Sequence, residues 1–449
     1  MTGRHPRVRV MGIRDTRRHM LSSALGNFAL PFAVFATAPL LARVFGVSGR
    51  GELAAATAPL LLMSTVATCG IPEAVTYFVA RSPASLDSAL RRAVWLLVGA
   101  GTCAAILTIG LSGLLSGGNH TVRLLIVISS LTIPVAVVIG AFRGAASGLH
   151  DWRRVNREKY IGSALRVLGI VGLFGLGRLT VVGATVVIAS STVLAGGAYI
   201  GVTRTMPRDG AAPHGERVTT RQLLGYGTRV WMGSLSGVLL TRLDQTLMTP
   251  LAGTRELGLY AASVNVSDAS LLVNNAVRDV TFAADAADRS SERLTRSARI
   301  SFFASLVIGF ALVCSLPLWF TILFGGSFQR AEASTAILIG ASVAGVPGSV
   351  AGAGLSSRGK PVLRSYSLVL GAVVNFALIL LLVPTHGALG AALATLGGIV
   401  VASNMNILFA RKVCDVDLTS FYAISRSDMR VISRFVREMS GRAFAKEEP

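Results

Sequence analysis

The chain has 449 residues, of which 52% are hydrophobic and 14% charged, with a mean hydropathy of +0.62. A soluble domain carries roughly 25% charged residues, so a disordered chain and a nucleic-acid-binding arm are excluded and a water-soluble globule is disfavoured. The net charge of +21 has to be read from where the cations lie, and their placement points to a membrane.

A basic N-terminus covers residues 1–19. Twelve apolar runs follow, each near the roughly 20 residues that a membrane helix needs. They cover 20–43, 53–80, 92–115, 122–142, 160–177, 179–202, 223–251, 257–284, 300–324, 332–357, 362–383 and 387–410. The first is not read as a cleavable signal, because Arg43 follows it and further spans come after. The expected organisation is an all-α integral membrane protein of twelve transmembrane helices. An N-lobe covers 20–203, a cytoplasmic connector 204–222, a C-lobe 223–411 and a cytoplasmic tail 412–449. In the tail, Met429, Ile432, Phe435, Val436 and Met439 share one helical face with Arg430, Arg434 and Arg437 nearby. That pattern predicts a basic amphipathic helix on the membrane surface.

Of the 43 Lys and Arg residues, 33 fall on one side of the alternating runs and 6 on the other. The six are Arg43, Arg50, Arg123, Arg178, Arg255 and Arg330. Cytoplasmic loops are the basic ones, so both termini are expected in the cytoplasm and the protein in the inner (plasma) membrane.

The halves repeat at an offset of 206–208 residues. Gly46 and Gly51 match Gly253 and Gly258, Gly117-Gly118 matches Gly325-Gly326, Gly148-Leu149 matches Gly354-Leu355, Tyr160 matches Tyr366, and Gly183-Ala184 matches Gly390-Ala391. Six spans per copy is an even number, so the two lobes are expected to be a parallel pseudo-twofold repeat with a site at their interface.

No enzyme motif is found. Gly354–Pro361 misses a phosphate loop by its last position, where Pro replaces the Ser or Thr that holds magnesium. No His falls at metal-binding spacing, and no cofactor or metal is expected. Asn119-His-Thr121 is an accidental sequon. Cys69, Cys103, Cys314 and Cys414 form no CxxC pair and are expected to be small buried residues. Pro31, Pro72 and Pro347 are placed to bend their helices.

The informative residues are charges inside spans, each costing roughly 2.5–3.5 kcal/mol at mid-bilayer. They are Glu73, Arg166, Arg229, Arg242, Asp244, Asp268, Arg278 and Asp279. Arg166 is expected close to the cytoplasmic end of its span, where it can snorkel. Arg229, Arg278 and Asp279 are expected near the cytoplasmic end too. Arg242 and Asp244 lie deeper, beside Gln245. In span eight Asn265, Asp268, Asn275 and Asp279 fall within an arc of about 80°, which reads as a cavity lining or as polar contact with another helix. Thr57, Ser64 and Thr68 share a face of span two.

Arg43-Val-Phe-Gly46-Val-Ser-Gly-Arg-Gly51-Glu52, Arg242-Leu-Asp244-Gln245 and Gly253-Thr-Arg-Glu-Leu-Gly258-Leu-Tyr260-Ala261 resemble the multidrug/oligosaccharidyl-lipid/polysaccharide exporter superfamily, in its bacterial polysaccharide-flippase branch. The resemblance covers about residues 20–412. It implies two six-helix lobes, a central cavity lined by spans one, two, seven and eight, and alternating access. The substrate it implies is a polyprenyl-diphosphate-linked oligosaccharide, moved from the inner to the outer leaflet. The related lipid II flippases usually have fourteen spans, which argues against that branch.

On this reading Arg242, Gln245, Arg229, Arg278, Asn265 and Asn275 line the substrate cavity, with Arg242 on the diphosphate. Asp244, Asp268, Glu73 and Asp279 are candidates for cation coupling. Membrane lipids and a polymerase or glycosyltransferases of the same pathway are the expected partners, nucleic acid is not, and the chain is expected to be a monomer. Two alternatives stay open. One is a cation-coupled multidrug exporter of the same superfamily. The other is a non-transporting scaffold of a glycan-synthesis complex.

Overall fold

The computed structural model describes the backbone of residues 13–202, 217–288 and 291–422, and side chains from Phe28 onward apart from those of 269–288, Cys414 and Leu418. The amphipathic pattern at 427–440 and the stretch Pro207–Glu216 lie outside the described residues. Every long element among the described residues is a helix. They are α1 (Ile13–Thr68), α2 (Ile71–Arg81), α3 (Leu86–Leu115), α4 (His120–Ser130), α5 (Ile133–Gly148), α6 (Trp152–Gly175), α7 (Val181–Ala195), α8 (Thr220–Asp288), α9 (Ser291–Phe324), α10 (Ala331–Ser357) and α11 (Pro361–Cys414).

Three of these are too long to be single rods. At 1.5 Å per residue the 69 residues of α8 would reach about 100 Å, three times the roughly 30 Å hydrocarbon layer. Each long helix is broken at a glycine in the left-handed region. The breaks are Gly46 (φ 65°) in α1, Gly253 (φ 85°) in α8 and Gly387 (φ 52°) in α11. A side chain there would strain the backbone, so glycine is what allows the chain to turn. Gly46 and Gly253 are the same pair that the sequence repeat aligns.

Seven helical stretches among the described residues are long and apolar enough to cross a membrane: Phe28–Thr68, Pro83–Leu115, His120–Gly148, Val181–Tyr199, Ser291–Phe324, Ala331–Ser357 and Pro361–Val413. The first and last each hold two of the twelve expected runs. The other three runs fall in α6 and α8. Large apolar side chains point outward along these stretches. Trp95 is 74% exposed, Phe310 70% and Leu381 69%, as lipid-facing surfaces require. The protein is therefore a multi-pass membrane protein.

Two apolar cores hold the helices. One gathers Ile71, Leu97, Ile133 and Tyr199. The other gathers Leu257, Tyr260, Phe320, Phe324 and Ile379, and takes in Ala38, Ala42 and Ala54 of α1. The turns are tied together by polar contacts. Glu256, three residues past the α8 break, accepts a hydrogen bond from the Ala388 N–H at 2.9 Å. It thereby caps the α11 segment that starts after Gly387, with a negative charge at a helix N-terminus.

Pro347 lies inside α10. The Ser403 hydroxyl of α11 enters the ladder just after it, accepting from Gly348 N–H at 3.0 Å and donating to the Ala344 carbonyl at 3.1 Å. An inserted side chain opens a helix locally. Gly348 is the residue this needs, because a Cβ there would collide with Ser403.

Several expectations are corrected. Pro72 does not bend a helix but starts one, in the first turn of α2 after the break at Gly70 (φ 68°). That break also divides the expected run 53–80 and puts Glu73 in the first turn of a separate short helix, exposed. Among the described side chains Cys69, Cys103 and Cys314 are free thiols, but Cys103 and Cys314 are exposed and Cys69 half-buried. Small thiols suit a lipid-facing surface as well as a core. Arg166 does not lie at an end of its helix. It sits in the middle of α6, with its Nε shut off from solvent. Thr57 and Thr68 turn their hydroxyls to the carbonyls of Leu53 and Thr65 in their own helix, which occupies two of the three hydroxyl donors on that face.

Candidate functional site

The break at Gly253 lays the two segments of α8 beside one another, so residues far apart in sequence meet. The Arg242 Nη2 donates to Asp268 Oδ2 at 2.7 Å. The two side chains are 27% and 36% exposed, so the pair is accessible. Of the ion pairs among the described residues, the other two, Arg143–Glu158 and Arg154–Asp151, join residues of the 143–159 stretch.

Asp244, one half-turn on, has a different environment. It is 1% exposed and is held by neutral donors. The Tyr260 hydroxyl donates to Oδ2, Thr395 Oγ1 donates to the same oxygen at 3.1 Å, and the Gln245 N–H donates to Oδ1 at 2.6 Å. Asn375 Nδ2 lies 3.5 Å from Thr395 Oγ1. Three separate helical segments, from α8 and α11, converge on this one carboxylate. Arg242 makes no hydrogen bond to it and gives its Nη2 to Asp268 instead.

The remaining expected residues are dispersed. Arg229 is exposed on the first segment of α8. Asn265 lies between Tyr260 and Asp268, with a buried Nδ2 that has no hydrogen-bond partner. Asn275, Arg278 and Asp279 are in the helical part of α8 whose side chains lie outside the description. Tyr260, Thr395 and Asn375 were not singled out as functional in the sequence. Each is a lone polar residue in an apolar stretch, which is the only signal they give.

Two seams flank this region. At the first, the residues after the breaks in α1 and α8 meet so closely that a Cβ at Gly51 would collide with the Thr254 carbonyl, and one at Gly258 with the Val47 carbonyl. Arg43 reinforces this end, its Nε donating to the Leu323 carbonyl at 3.0 Å and its Nη2 to that of Ile322. At the second seam Gly70 abuts the Gly227 carbonyl. There Tyr77 stacks on Tyr226 with ring centroids 4.3 Å apart, and Trp231 Nε1 donates to the Thr65 carbonyl at 3.0 Å. Each seam joins α1 or α2 to α8. The polar cluster of Arg242, Asp244, Tyr260 and Asp268 belongs to the stretch of α8 between its two seam glycines, Gly227 and Gly258, and just beyond.

The model of a family described as "Polysaccharide biosynthesis protein" matches residues 17–286. A search among curated proteins finds no match. Among solved structures, the chain is similar to an inward-facing multidrug resistance transporter of the MATE family, in the MOP superfamily. The TM-score is 0.66 at 19% identity, over 87% of this chain and 98% of that one. It is similar to the lipid II flippase MurJ in an inward closed conformation, with TM-score 0.69 at 13% identity over 90% of this chain and 89% of that one. It is also similar to a MOP superfamily transporter from Pyrococcus furiosus, with TM-score 0.62 at 16% identity over 89% and 96%. These likenesses carry the fold, and the family match carries membership: the chain belongs to the polysaccharide biosynthesis protein family, on the fold of the MOP exporter superfamily.

Proposed function

We propose that the chain is a flippase that carries a polyprenyl-diphosphate-linked oligosaccharide from the inner to the outer leaflet by alternating access. In this reading it crosses the inner membrane twelve times, in two six-helix lobes related by a pseudo-twofold axis, with both termini in the cytoplasm. The observation that carries it is the Arg242–Asp268 pair, a partly exposed guanidinium held ready between the two segments of α8. A diphosphate offers that fork stronger, bidentate acceptors than one carboxylate does. Substrate arrival would exchange Asp268 for phosphate oxygens, and the polyprenyl tail would stay in the bilayer. Family membership supports the saccharide. The polymerase and glycosyltransferases of the same pathway are its natural partners.

A second reading is favoured by Asp244. A buried carboxylate between Tyr260, Thr395 and Asn375 is suited to holding a proton or a small cation, so a cation-coupled multidrug exporter remains the alternative. The two separate in one assay. In vesicles, Arg242→Ala is expected to abolish movement of the lipid-linked saccharide at normal protein abundance. Arg242→Lys is expected to keep part of it, because the charge survives without the fork. Full activity in Arg242→Ala, or export of organic cations with no saccharide movement by the unaltered chain, would reject the flippase reading.

A further inference from the structure

We propose that Arg50 and Arg166 form a phosphate-binding site in the N-terminal half, separate from Arg242. Arg50 lies just after the Gly46 break in α1 and is 8% exposed. Arg166 lies in the middle of α6. Leu53 and Ile170, one turn on from each, share an apolar cluster with Leu41 and Ala184, so α1 and α6 run side by side at this level. Burial first, and the like charge of Arg166 second, disfavour the charged form of Arg50.

Neither guanidinium has a partner of opposite sign. The Nε of each is buried with no hydrogen-bond partner, and none of the ion pairs among the described residues includes either. Glu52 is two residues from Arg50, about 200° round the helix. Two like charges on adjacent helices, one buried and one half-buried, are unfavourable alone and become favourable around an anion. The anion has to satisfy two planar forks, one from α1 and one from α6. A carboxylate has two oxygens and one charge and serves one fork well. A phosphate or diphosphate has more oxygens and more charge and can bridge both.

The site's position gives it a use. Arg50 immediately precedes Gly51, the glycine of the first seam. A phosphate held here sits beside the contact that must part if substrate leaves on that side. That assignment to the carried diphosphate rests on the proposed flippase function, whereas phosphate binding itself does not. The same chemistry is present in a phospholipid headgroup, and the test separates the two sources.

The full chain is purified in detergent with Arg242→Gln in place, so that the α8 site is silent. Affinity is measured for inorganic pyrophosphate, a polyprenyl diphosphate and phosphatidylglycerol. Arg50→Gln and Arg166→Gln are each expected to weaken pyrophosphate roughly tenfold. The double variant is expected to be little worse than either single one, since one ligand bridges both. Should the glutamine variants fail to fold, Arg50→Lys and Arg166→Lys keep the charges and lose the forks, and a several-fold loss is expected. A polyprenyl diphosphate that weakens in parallel assigns the site to the carried lipid. Phosphatidylglycerol weakening instead assigns it to a headgroup. Unchanged affinity for all three probes in folded variants overturns the proposal. A chain that moves no saccharide yet loses pyrophosphate binding with Arg50→Gln would sink the flippase reading and leave this site standing.

Discussion

Asp244 is tightly held, because its two oxygens take three donors and meet no cation directly. When it is ionised, both the Tyr260 and Thr395 hydroxyl protons point at Oδ2, although these hydroxyls are also 3.0 Å from each other. Protonating the carboxylate frees one hydroxyl to bond the other. The cluster therefore has two proton arrangements within one geometry, which is what a coupling residue needs. Asp244→Asn is expected to insert at normal abundance and to remove the dependence of transport on an imposed proton or sodium gradient in vesicles. Tyr260→Phe should keep that dependence, displaced in pH, and lower stability in detergent by about 1.5–3 kcal/mol for the lost bond to a charged acceptor. Unaltered gradient dependence in Asp244→Asn would make the cluster purely structural. The charges of this site were legible in the sequence, since Arg242, Asp244 and Asp268 interrupt apolar runs. Their pairing was not. Arg242 and Asp244 are nearly adjacent, yet one turns to Asp268 and the other to Thr395, 151 positions away. Such partners depend on how helices pack, which hydropathy does not encode. The same holds for Glu158. It reads as part of a basic loop, but it is 5% exposed, bonded by both the Arg143 fork and the Tyr199 hydroxyl.

The helices owe their lengths to apolar runs and their breaks to glycine, and these two signals differ in how well a sequence displays them. The runs were visible at once. The breaks at Gly46 and Gly253 fell in the gaps between expected runs and were marked by matched glycines, but nothing in the pattern marked Gly70 as a break within the expected run 53–80. Proline was the poorer guide. Pro72 begins a helix, and the consequence of Pro347 is drawn by a residue on another helix, Ser403. That insertion is testable. Ser403 is 4% exposed, so removing its hydroxyl takes an acceptor from the Gly348 N–H and a donor from the Ala344 carbonyl, away from water. Ser403→Ala is expected to destabilise the chain by about 1–3 kcal/mol, measured by thermal unfolding in detergent. Ser403→Thr, which keeps the hydroxyl, should cost less. Equal stability of Ser403→Ala and the parent would mean that α10 closes its own ladder when the hydroxyl is gone.

At the scale of the whole molecule, the two seams tie the N-terminal helices to α8 from opposite ends of the Arg242–Asp268 region. The proposed topology puts the Gly51–Gly258 seam outside and the Gly70–Gly227 seam at the cytoplasm. In a chain with its native cysteines replaced, His120→Cys and Gly326→Cys, both exposed, are then expected to react with an impermeant thiol reagent from outside intact cells. Thr219→Cys, exposed just before α8, is expected to react only after permeabilisation. Labelling of Thr219→Cys from outside would invert the assignment of sides.

Alternating access adds a stronger demand, since a carrier cannot work with either seam held shut. The Tyr77–Tyr226 stack is the place to impose that. Its rings are 4.3 Å apart and nearly parallel at 16°. One belongs to α2 and the other to α8, so a covalent link between them ties the two halves at one end. The Gly70–Gly227 contact beside it is backbone to backbone, which leaves no side chain to flex around such a link. Tyr77→Cys with Tyr226→Cys is expected to form a disulfide on mild oxidation in the membrane. Transport of the lipid-linked saccharide should stop when it forms and return on reduction, while each single variant stays active and insensitive to oxidant. The link should leave the first seam free, so accessibility of a cysteine at Val47 should rise or stay the same in the oxidised form. Loss of activity that reduction does not restore would indicate damage to the fold rather than a locked seam. Full transport with the disulfide intact would rule out opening at this end as a step in the cycle.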